Sequence, residues 1–183
     1  MLNNVFISFQ DMPGGGASVA LAYSGCQRGT EGNPCEGCHN PELWDFGDKE
    51  SGELSRSRLE ELLRELNNSG GADLIEGIVV IGGEPFDQDM SEVLGDIKSV
   101  RSGIGKKVKL VVYTGYGSLT EATGNFPGSP MEHPLVMEAD YIKLGEYNPR
   151  ILPRPGSALA SGNQKMYRIE RTEEPPTMKE VDF

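Results

Sequence analysis

Three cysteines lie close together in the chain and are the residues best suited to bind a metal, namely Cys26, Cys35 and Cys38. Three thiolates can hold a four-iron, four-sulfur cluster and leave one iron without a protein ligand. A purely structural cluster is expected to have a fourth cysteine, and the chain contains none. The open iron therefore takes its ligand from an outside molecule or from a residue of another type, and chemistry can take place there.

Other interpretations of the cysteines stay open at this point. Together with His39, the three cysteines have the composition of a structural zinc site of the Cys3His type. Buried, inert cysteines that only fill space are a third interpretation. An odd number of cysteines within a short stretch is a poor disulfide framework, so we favour metal ligation.

Length and charge limit the class of protein. With 183 residues, the chain is expected to form one compact domain and is shorter than a complete eight-stranded barrel. A formal net charge of -11 and a pI near 4.7 argue against binding to nucleic acid, because phosphate recognition requires a basic surface. No apolar run reaches membrane-spanning length and the first residues lack a signal-peptide pattern, so we predict a cytoplasmic protein without membrane contact.

Strand-like and helix-like patterns alternate along the chain. Strands are predicted at residues 5–9, 19–23, 78–81, 108–112, 141–144 and 164–169. A capping box at Ser57 and Glu60, followed by a leucine stripe, predicts a helix that ends at residues 67–71. A second amphipathic helix around Ile97 is expected to stop at Gly103. A helical turn is expected at residues 119–122 and a loop at residues 148–162.

This alternation predicts an α/β fold, in which parallel strands form a partial, incomplete TIM-type barrel with helices outside. In such folds ligands bind at the carboxyl ends of the strands. The candidate functional residues all follow strands, at Cys26 to Cys38, Gly82 to Pro85, Thr114 to Tyr116 and Gly145-Glu146. Residues 171–183 are charged and show no periodicity. We therefore predict a domain over residues 1–170 and a flexible tail over residues 171–183.

The clustered cysteines and the Gly82-Gly83-Glu84-Pro85 turn resemble the radical S-adenosylmethionine (SAM) superfamily. Within it, the chain is most similar to the activating enzymes of anaerobic ribonucleotide reductases. The similarity extends over most of the chain, at Gly15-Gly16, Ser24-Gly25-Cys26, Cys35 to Asn40 with Trp44, Tyr113 to Tyr116, Gly156-Ser157 and Asn163-Gln164. Several separated matches in the same order are more specific than any one of them.

The resemblance implies a radical SAM fold with two cofactors, a 4Fe-4S cluster on Cys26, Cys35 and Cys38 and a SAM molecule on the open iron. An electron passed through the cluster cleaves SAM into methionine and a 5′-deoxyadenosyl radical, which abstracts a hydrogen atom. In the activating enzymes this hydrogen comes from a glycine of the partner reductase. The resemblance also implies reduced flavodoxin or ferredoxin as the electron donor.

The resemblance further implies a set of residues around SAM, namely His39, Gly82, Gly83, Glu84, Pro85, Thr114, Lys143, Glu146 and Asn163. The two glycines would let backbone carbonyls approach the ammonium group of SAM, while Glu84 adds negative charge nearby. His39 would stack near the adenine or support the cluster, although it also remains a possible metal ligand. Lys143 and Glu146 lie where the family places contacts to the ribose or the carboxylate. Thr114 is either a ligand contact or a structural cap.

One feature departs from the family pattern, since the cysteines are spaced Cys-x8-Cys-x2-Cys instead of Cys-x3-Cys-x2-Cys. The added residues 28–34 are turn formers, which are expected to bulge outward without separating the cysteines. The altered spacing leaves two alternatives open. One is a radical SAM enzyme that acts on a small molecule or peptide, similar to the 7-carboxy-7-deazaguanine synthases. The other is a non-catalytic zinc or iron-sulfur module.

Overall fold

The computed structural model describes residues 1–124, 126–155, 157, 159–172 and 176–182. These residues form one seven-stranded sheet whose strands lie side by side in chain order. The strands are β1 (Leu2–Ser8), β2 (Ala17–Tyr23), β3 (Ile75–Gly82), β4 (Lys109–Tyr113), β5 (Tyr141–Leu144), β6 (Lys165–Glu170) and β7 (Thr177–Val181). Gly156, one of the residues that carry the family resemblance, lies outside the described residues.

The centre of the sheet is parallel and its flanks are antiparallel. Strands β2 to β5 pair in parallel, whereas β1 runs antiparallel to β2 and the last two strands run antiparallel to their neighbours. The described residues thus form an α/β arrangement whose sheet is mixed and not parallel throughout. Within that part of the chain no pairing joins β1 to β7, and the incomplete barrel stays a prediction.

Five α-helices connect or flank the strands among the described residues. They are α1 (Gln27–Thr30), α2 (Lys49–Ser69), α3 (Met90–Ile104), α4 (Leu119–Thr123) and α5 (Pro134–Glu138). Short 3-10 helices lie at Pro41–Leu43, Gly71–Leu74, Pro85–Asp87 and Pro130–Glu132. The two long helices cross over between parallel strands, as a parallel connection requires.

Both long helices have bounds that differ from the predicted ones. Helix α2 begins after Asp48, whose side chain accepts a hydrogen bond from Ser51 N, so the expected start at Ser57 was wrong. The Ser57 hydroxyl instead donates to the Glu53 carbonyl inside the helix. Helix α3 continues past Gly103 to Ile104 and is capped by Gly105, which has a φ of 73°. A residue in the left-handed conformation at the end of a helix can satisfy the last free carbonyls of the helix. Gly105 does so by donating its backbone N–H to Arg101 O.

The main apolar core lies between the sheet and the long helices. All seven residues of β2 are buried, and Leu59, Ile97 and Val100 pack from α2 and α3 in the same cluster as Leu21. A second, smaller cluster contains Met12, Val79, Val111 and Met166. Burial of this apolar surface is the main force that holds the strand ends in place.

Part of the predicted tail is a strand. Thr177–Val181 form β7 and pair antiparallel with β6, while Met178 packs against the main core. The free edge of β6 offers backbone hydrogen-bond partners that the local sequence does not reveal. Residues 173–175 and 183 of the tail lie outside the described residues. In the part of the chain that the structure describes, no helix is both long and apolar enough to cross a membrane.

Candidate iron-sulfur site

The cysteine segment begins where β2 ends. Cys26 precedes the single turn of α1, and its backbone N–H donates to Trp44 O at 2.9 Å. The other two cysteines are joined by a turn in which Cys38 N donates to Cys35 O at 3.2 Å. All three cysteines are free thiols and are partly buried. The residues between Cys26 and Cys35, called the enlarged gap below, form the helical turn α1 and a loop. They keep the cysteine segment at the strand ends.

In the described part of the chain, each cysteine sulfur accepts from an N–H donor. The backbone N–H of Gly29 donates to Cys26, and the backbone N–H of Tyr147 donates to Cys35. The third donor is a side chain, since Trp44 Nε1 lies 3.4 Å from Cys38 Sγ. Burial raises the pKa of Cys26 and Cys35, whereas the N–H groups of Gly29 and Tyr147 lower it. The Gly29 and Tyr147 donors favour the thiolate form of Cys26 and Cys35, which is the form that ligates metal.

Arg28 fastens the enlarged gap to two strand ends. Its guanidinium donates to Gly115 O at 2.9 Å and to Glu146 Oε2 at 2.7 Å. The guanidinium also lowers the pKa of Cys35, against the larger effect of burial. The residue before it, Gln27, donates its backbone N–H to Asp87 Oδ2 at 2.7 Å. The gap is thus bound to residues that follow β3, β4 and β5.

The segment after β5 covers the second half of the cysteine segment. The ring centroids of Tyr147 and His39 are 4.0 Å apart, and the Glu36 carboxylate pairs with Arg150 at 2.6 Å. Sequence reasoning missed both Arg28 and Tyr147, because their contacts join parts of the chain that are far apart in sequence. The placement of Tyr147 after a strand end was the one available signal.

The two glycines of the turn after β3 are required by the protein's own packing. A Cβ on Gly82 would lie 2.2 Å from Tyr23 O, and one on Gly83 would lie 2.4 Å from Gly25 O. Gly82 also has a φ of 115°, which L-residues with side chains rarely adopt. The glycines thus let the turn lie directly against the start of the cysteine segment. Their contact with a ligand stays a prediction.

Glu84 lies inside the protein and supports the end of β4. Its carboxylate accepts hydrogen bonds from Gly115 N at 2.9 Å and from Phe86 N at 3.2 Å. The Thr114 hydroxyl also bonds to Glu84 and accepts from Tyr116 N at 3.1 Å, which are the contacts of a structural cap, while its contact with a ligand stays a prediction. Burial raises the pKa of Glu84 to about 7. Pro85 is buried beside it and opens a 3-10 turn.

A cavity of about 740 Å³ lies at the carboxyl ends of the parallel strands. The predicted site residues that line it are Cys35, Cys38, His39, Gly82, Gly83, Thr114 and Lys143. Cys26, Glu84, Pro85, Glu146 and Asn163 are not part of this lining. The structure therefore brings together seven of the predicted residues from four separate strand ends.

Lys143 places a buried ammonium group in this cavity. The residue is 8% exposed, and its Nζ lies 5.1 Å from the centroid of the Tyr113 ring. Within the described part of the chain, the ammonium makes no hydrogen bond or ion pair. Burial lowers the pKa of Lys143 to about 8, while the Glu84 and Cys35 charges act to raise it. A buried cation that faces a cavity favours an anionic ligand there.

Glu146 and Asn163 line a neighbouring cavity of about 680 Å³. The Glu146 carboxylate is bound to Arg28, and the Glu146 carbonyl accepts from Asn163 Nδ2 at 2.8 Å. Asn163 Oδ1 is buried and has no hydrogen-bond partner among the described residues. Glu146 thus holds the residues between Cys26 and Cys35 through Arg28, and Asn163 supports Glu146. The predicted contact of both residues with a cofactor stays a prediction.

The donor set is compatible with a cluster. Among the described residues, no three His, Cys, Asp or Glu side chains are grouped so that they hold a metal ion. In a four-iron cluster each cysteine binds a different iron, so the three thiolates do not have to meet at one point. The sulfurs are partly buried and each has an N–H donor, which suits thiolate ligands.

Comparison with known proteins agrees with this chemistry. A family model described as a 4Fe-4S single cluster domain matches residues 12–165. The chain therefore belongs to the family of 4Fe-4S single cluster domains, and its cofactor is a 4Fe-4S cluster. No curated protein and no solved structure matches the chain.

Proposed function

We propose that this iron-sulfur protein is a radical SAM enzyme, most similar in function to an activating enzyme of anaerobic ribonucleotide reductase. One observation carries the proposal. Two of only three cysteines share a 740 Å³ cavity with a buried ammonium that lacks an anionic partner in the described residues. A three-cysteine cluster has an open iron, and SAM offers both a ligand for that iron and a carboxylate for Lys143.

The residues of the cavity are suited to bind SAM beside a cluster. Bound together, the cluster and SAM supply a 5′-deoxyadenosyl radical once an electron has been delivered. Lys143 would bind the carboxylate of SAM, since its ammonium is buried and faces the cavity. The ring of His39, held against Tyr147 at 4.0 Å, would stack near the adenine. The walls of the cavity would exclude water from the reacting atoms.

A glycine-containing segment of a partner reductase is the proposed substrate, with reduced flavodoxin or ferredoxin as the electron donor. A further cavity of about 670 Å³ adjoins the 740 Å³ cavity and shares Gln10, Ser157 and Gln164 with it. It provides room for a second molecule next to SAM. Phe9, which is 70% exposed, lies on the rim of this cavity and offers an apolar contact.

A small molecule or a free peptide is the second candidate for this substrate. The adjoining cavity favours it because it has the volume that small-molecule sites typically have. Both candidates share the cleavage of SAM and differ only in the acceptor of the radical. Addition of a partner reductase therefore distinguishes the two candidate acceptors.

The first test is SAM cleavage by anaerobically reconstituted protein. We expect iron uptake of about four per chain and formation of 5′-deoxyadenosine when SAM and dithionite are added. The Cys35→Ala variant should lose this cleavage while it stays folded. Zinc uptake without iron, or a loaded cluster that never forms 5′-deoxyadenosine, would reject the proposed function.

Lys143→Met provides a sharper test of the cavity. We expect it to keep the cluster but to need about tenfold more SAM for half-maximal cleavage, because one charge-assisted contact is lost. Lys98→Met is a matched control, since Lys98 is exposed on α3 and lines none of the three cavities described above. Addition of an anaerobic ribonucleotide reductase should then give a glycyl radical signal. Cleavage without that signal would favour the small-molecule candidate.

A further inference from the structure

Trp44 contacts both ends of the cysteine motif. Its carbonyl accepts a hydrogen bond from Cys26 N at 2.9 Å, and its indole Nε1 lies 3.4 Å from Cys38 Sγ. The residue directly follows the 3-10 helix Pro41–Leu43, which fixes its backbone close to the motif. A single residue thus joins the first cysteine to the third.

The Trp44 ring packs against a glycine of the enlarged gap, Gly29. A Cβ on Gly29 would lie 2.3 Å from Trp44 Cγ, so the indole packs directly on the bare Cα of this glycine. Gly29 is buried, and its own N–H donates to Cys26. Only a glycine at this position allows the ring to come close enough to direct its N–H at Cys38.

We propose that Trp44 is a positioning residue that sets the reduction potential of the cluster by donating its indole N–H to the Cys38 sulfur. The extra residues between Cys26 and Cys35 supply Gly29 as the surface on which the indole rests. This inference depends on the 4Fe-4S cluster of the family and not on the cleavage of SAM. It can therefore fail or hold independently of the proposed function.

The physical reason is the charge of the cluster. A one-electron reductant of low potential adds one electron to the oxidised cluster, whose net charge becomes one unit more negative, and no bond forms or breaks. An N–H directed at a ligating sulfur stabilises the more negative state more strongly. Loss of the indole N–H should therefore make the cluster harder to reduce, without loss of the three thiolate ligands.

Trp44→Phe is the first variant, because it keeps an aromatic ring on Gly29 and removes the N–H. We expect the reconstituted variant to bind about four irons, as the wild-type protein does. At a fixed potential, the ratio of reduced to oxidised cluster should fall on the order of tenfold, which is about 59 mV for a one-electron couple. The measurement is a dithionite titration of the cluster, followed by absorbance and electron paramagnetic resonance.

A closer replacement is available because Trp44 is the only tryptophan of the chain. Growth on a tryptophan analogue that carries sulfur in place of the ring N–H changes this position alone and keeps the size of the ring. The analogue should lower the potential to the same extent as Trp44→Phe. A potential equal to that of the wild-type protein, in the variant or in the analogue, would overturn the proposal.

Phe46→Leu is the matched control. The Phe46 ring packs on Gly25 in the same segment but carries no N–H, so its loss should leave the potential unchanged. An equal shift in this control would mean that repacking alone changes the potential, and the proposal would be rejected. In unmodified protein, 15N-labelled indole should show hyperfine coupling to the reduced cluster. Absence of this coupling would also reject the proposal, even if every variant fails to fold.

Discussion

The helix-covered core and the cysteine segment are neighbours in the chain, but they are held by different forces. Every residue of β2 is buried, and the strand packs in an apolar cluster with α2 and α3. The cysteines that follow are only partly buried, and N–H groups of Trp44 and Tyr147 bond two of their sulfurs. Arg28 fastens the residues between Cys26 and Cys35 to Gly115 and Glu146. Stability and site geometry are therefore encoded by separate residues, and substitutions should separate them.

The largest expected effect on the unfolding free energy comes from a residue of the helix-covered core. Asp96 is 5% exposed and accepts from Tyr23 Oη at 3.0 Å and from Arg56 Nε at 2.9 Å. Asp96→Ala leaves the buried Tyr23 hydroxyl without its partner and leaves Arg56 with only its pair to Glu92 at 3.2 Å, so the unfolding free energy of the cluster-free protein should fall by about 3 kcal/mol. Urea unfolding measures this loss.

Glu53→Ala is the control for Asp96→Ala, because Glu53 forms only an exposed pair with Lys49 at 3.9 Å. It should leave the unfolding free energy nearly unchanged. Folded Asp96→Ala protein should still take up iron to the wild-type level. Loss of iron from the folded variant would show that core and site are not separate.

A pH-dependent effect of intermediate size is expected from Glu84, which lies between the two regions. Burial raises its pKa from 4.5 to about 7 in the folded protein. Between these values the folded state binds more protons than the unfolded state, so stability falls as the pH rises through 7. Between pH 5 and pH 8 this single group should lower the unfolding free energy by about 2 kcal/mol.

Glu84→Gln tests this expectation, since an amide does not titrate. The unfolding free energy of the variant, relative to the wild-type protein, should increase by about 2 kcal/mol from pH 5 to pH 8. Other titrating groups contribute equally to both proteins and cancel in the difference. Parallel pH profiles of the two proteins would show that the folded protein does not raise the pKa of this carboxyl group.

The smallest effect on stability should come from Arg28, on the site side of the comparison. Its ion pair with Glu146 is partly exposed, so Arg28→Met should cost less than about 1 kcal/mol of unfolding free energy. The fastening of the enlarged gap is lost, however, and the affinity for the cluster should fall by about tenfold. Release of iron to a chelator measures this change.

Arg101→Met is the matched control for Arg28→Met. Arg101 also pairs with a glutamate, Glu138, but this pair is remote from the cysteines in the sequence and joins α3 to the end of α5. The control should release iron at the wild-type rate. Equal release rates in all three proteins would remove Arg28 from the support of the site.

Most of the strands could be predicted from the sequence, because burial on both faces leaves short unbroken apolar runs. The run at residues 78–81 lies within β3, and the predicted strand at residues 141–144 coincides with β5. The start of α2 could not be predicted in this way, since its first turns are polar and Asp48 caps it. Strand β7 could not either, because its partner is the free edge of β6.

For the site, the residue types could be predicted but their connections could not. The cysteines and the glycine turn are visible because each follows an apolar strand. Glu84 supports the β4 end through Gly115, a contact that only the folded chain creates, and its expected place near a ligand stays a prediction. Arg28 donates to Gly115 and Glu146, which are 87 and 118 residues away in the sequence. No local sequence pattern predicts such contacts.

The position of Trp44 also decides what an optical experiment on this protein reports. As the only indole in the chain, it is the main source of long-wavelength fluorescence, and it lies against the third cysteine instead of in the apolar core. Its emission will follow local rearrangement of the cysteine segment and quenching by bound iron. Denaturation curves recorded at that wavelength will describe the metal-binding loop, whereas circular dichroism will describe the sheet and helices.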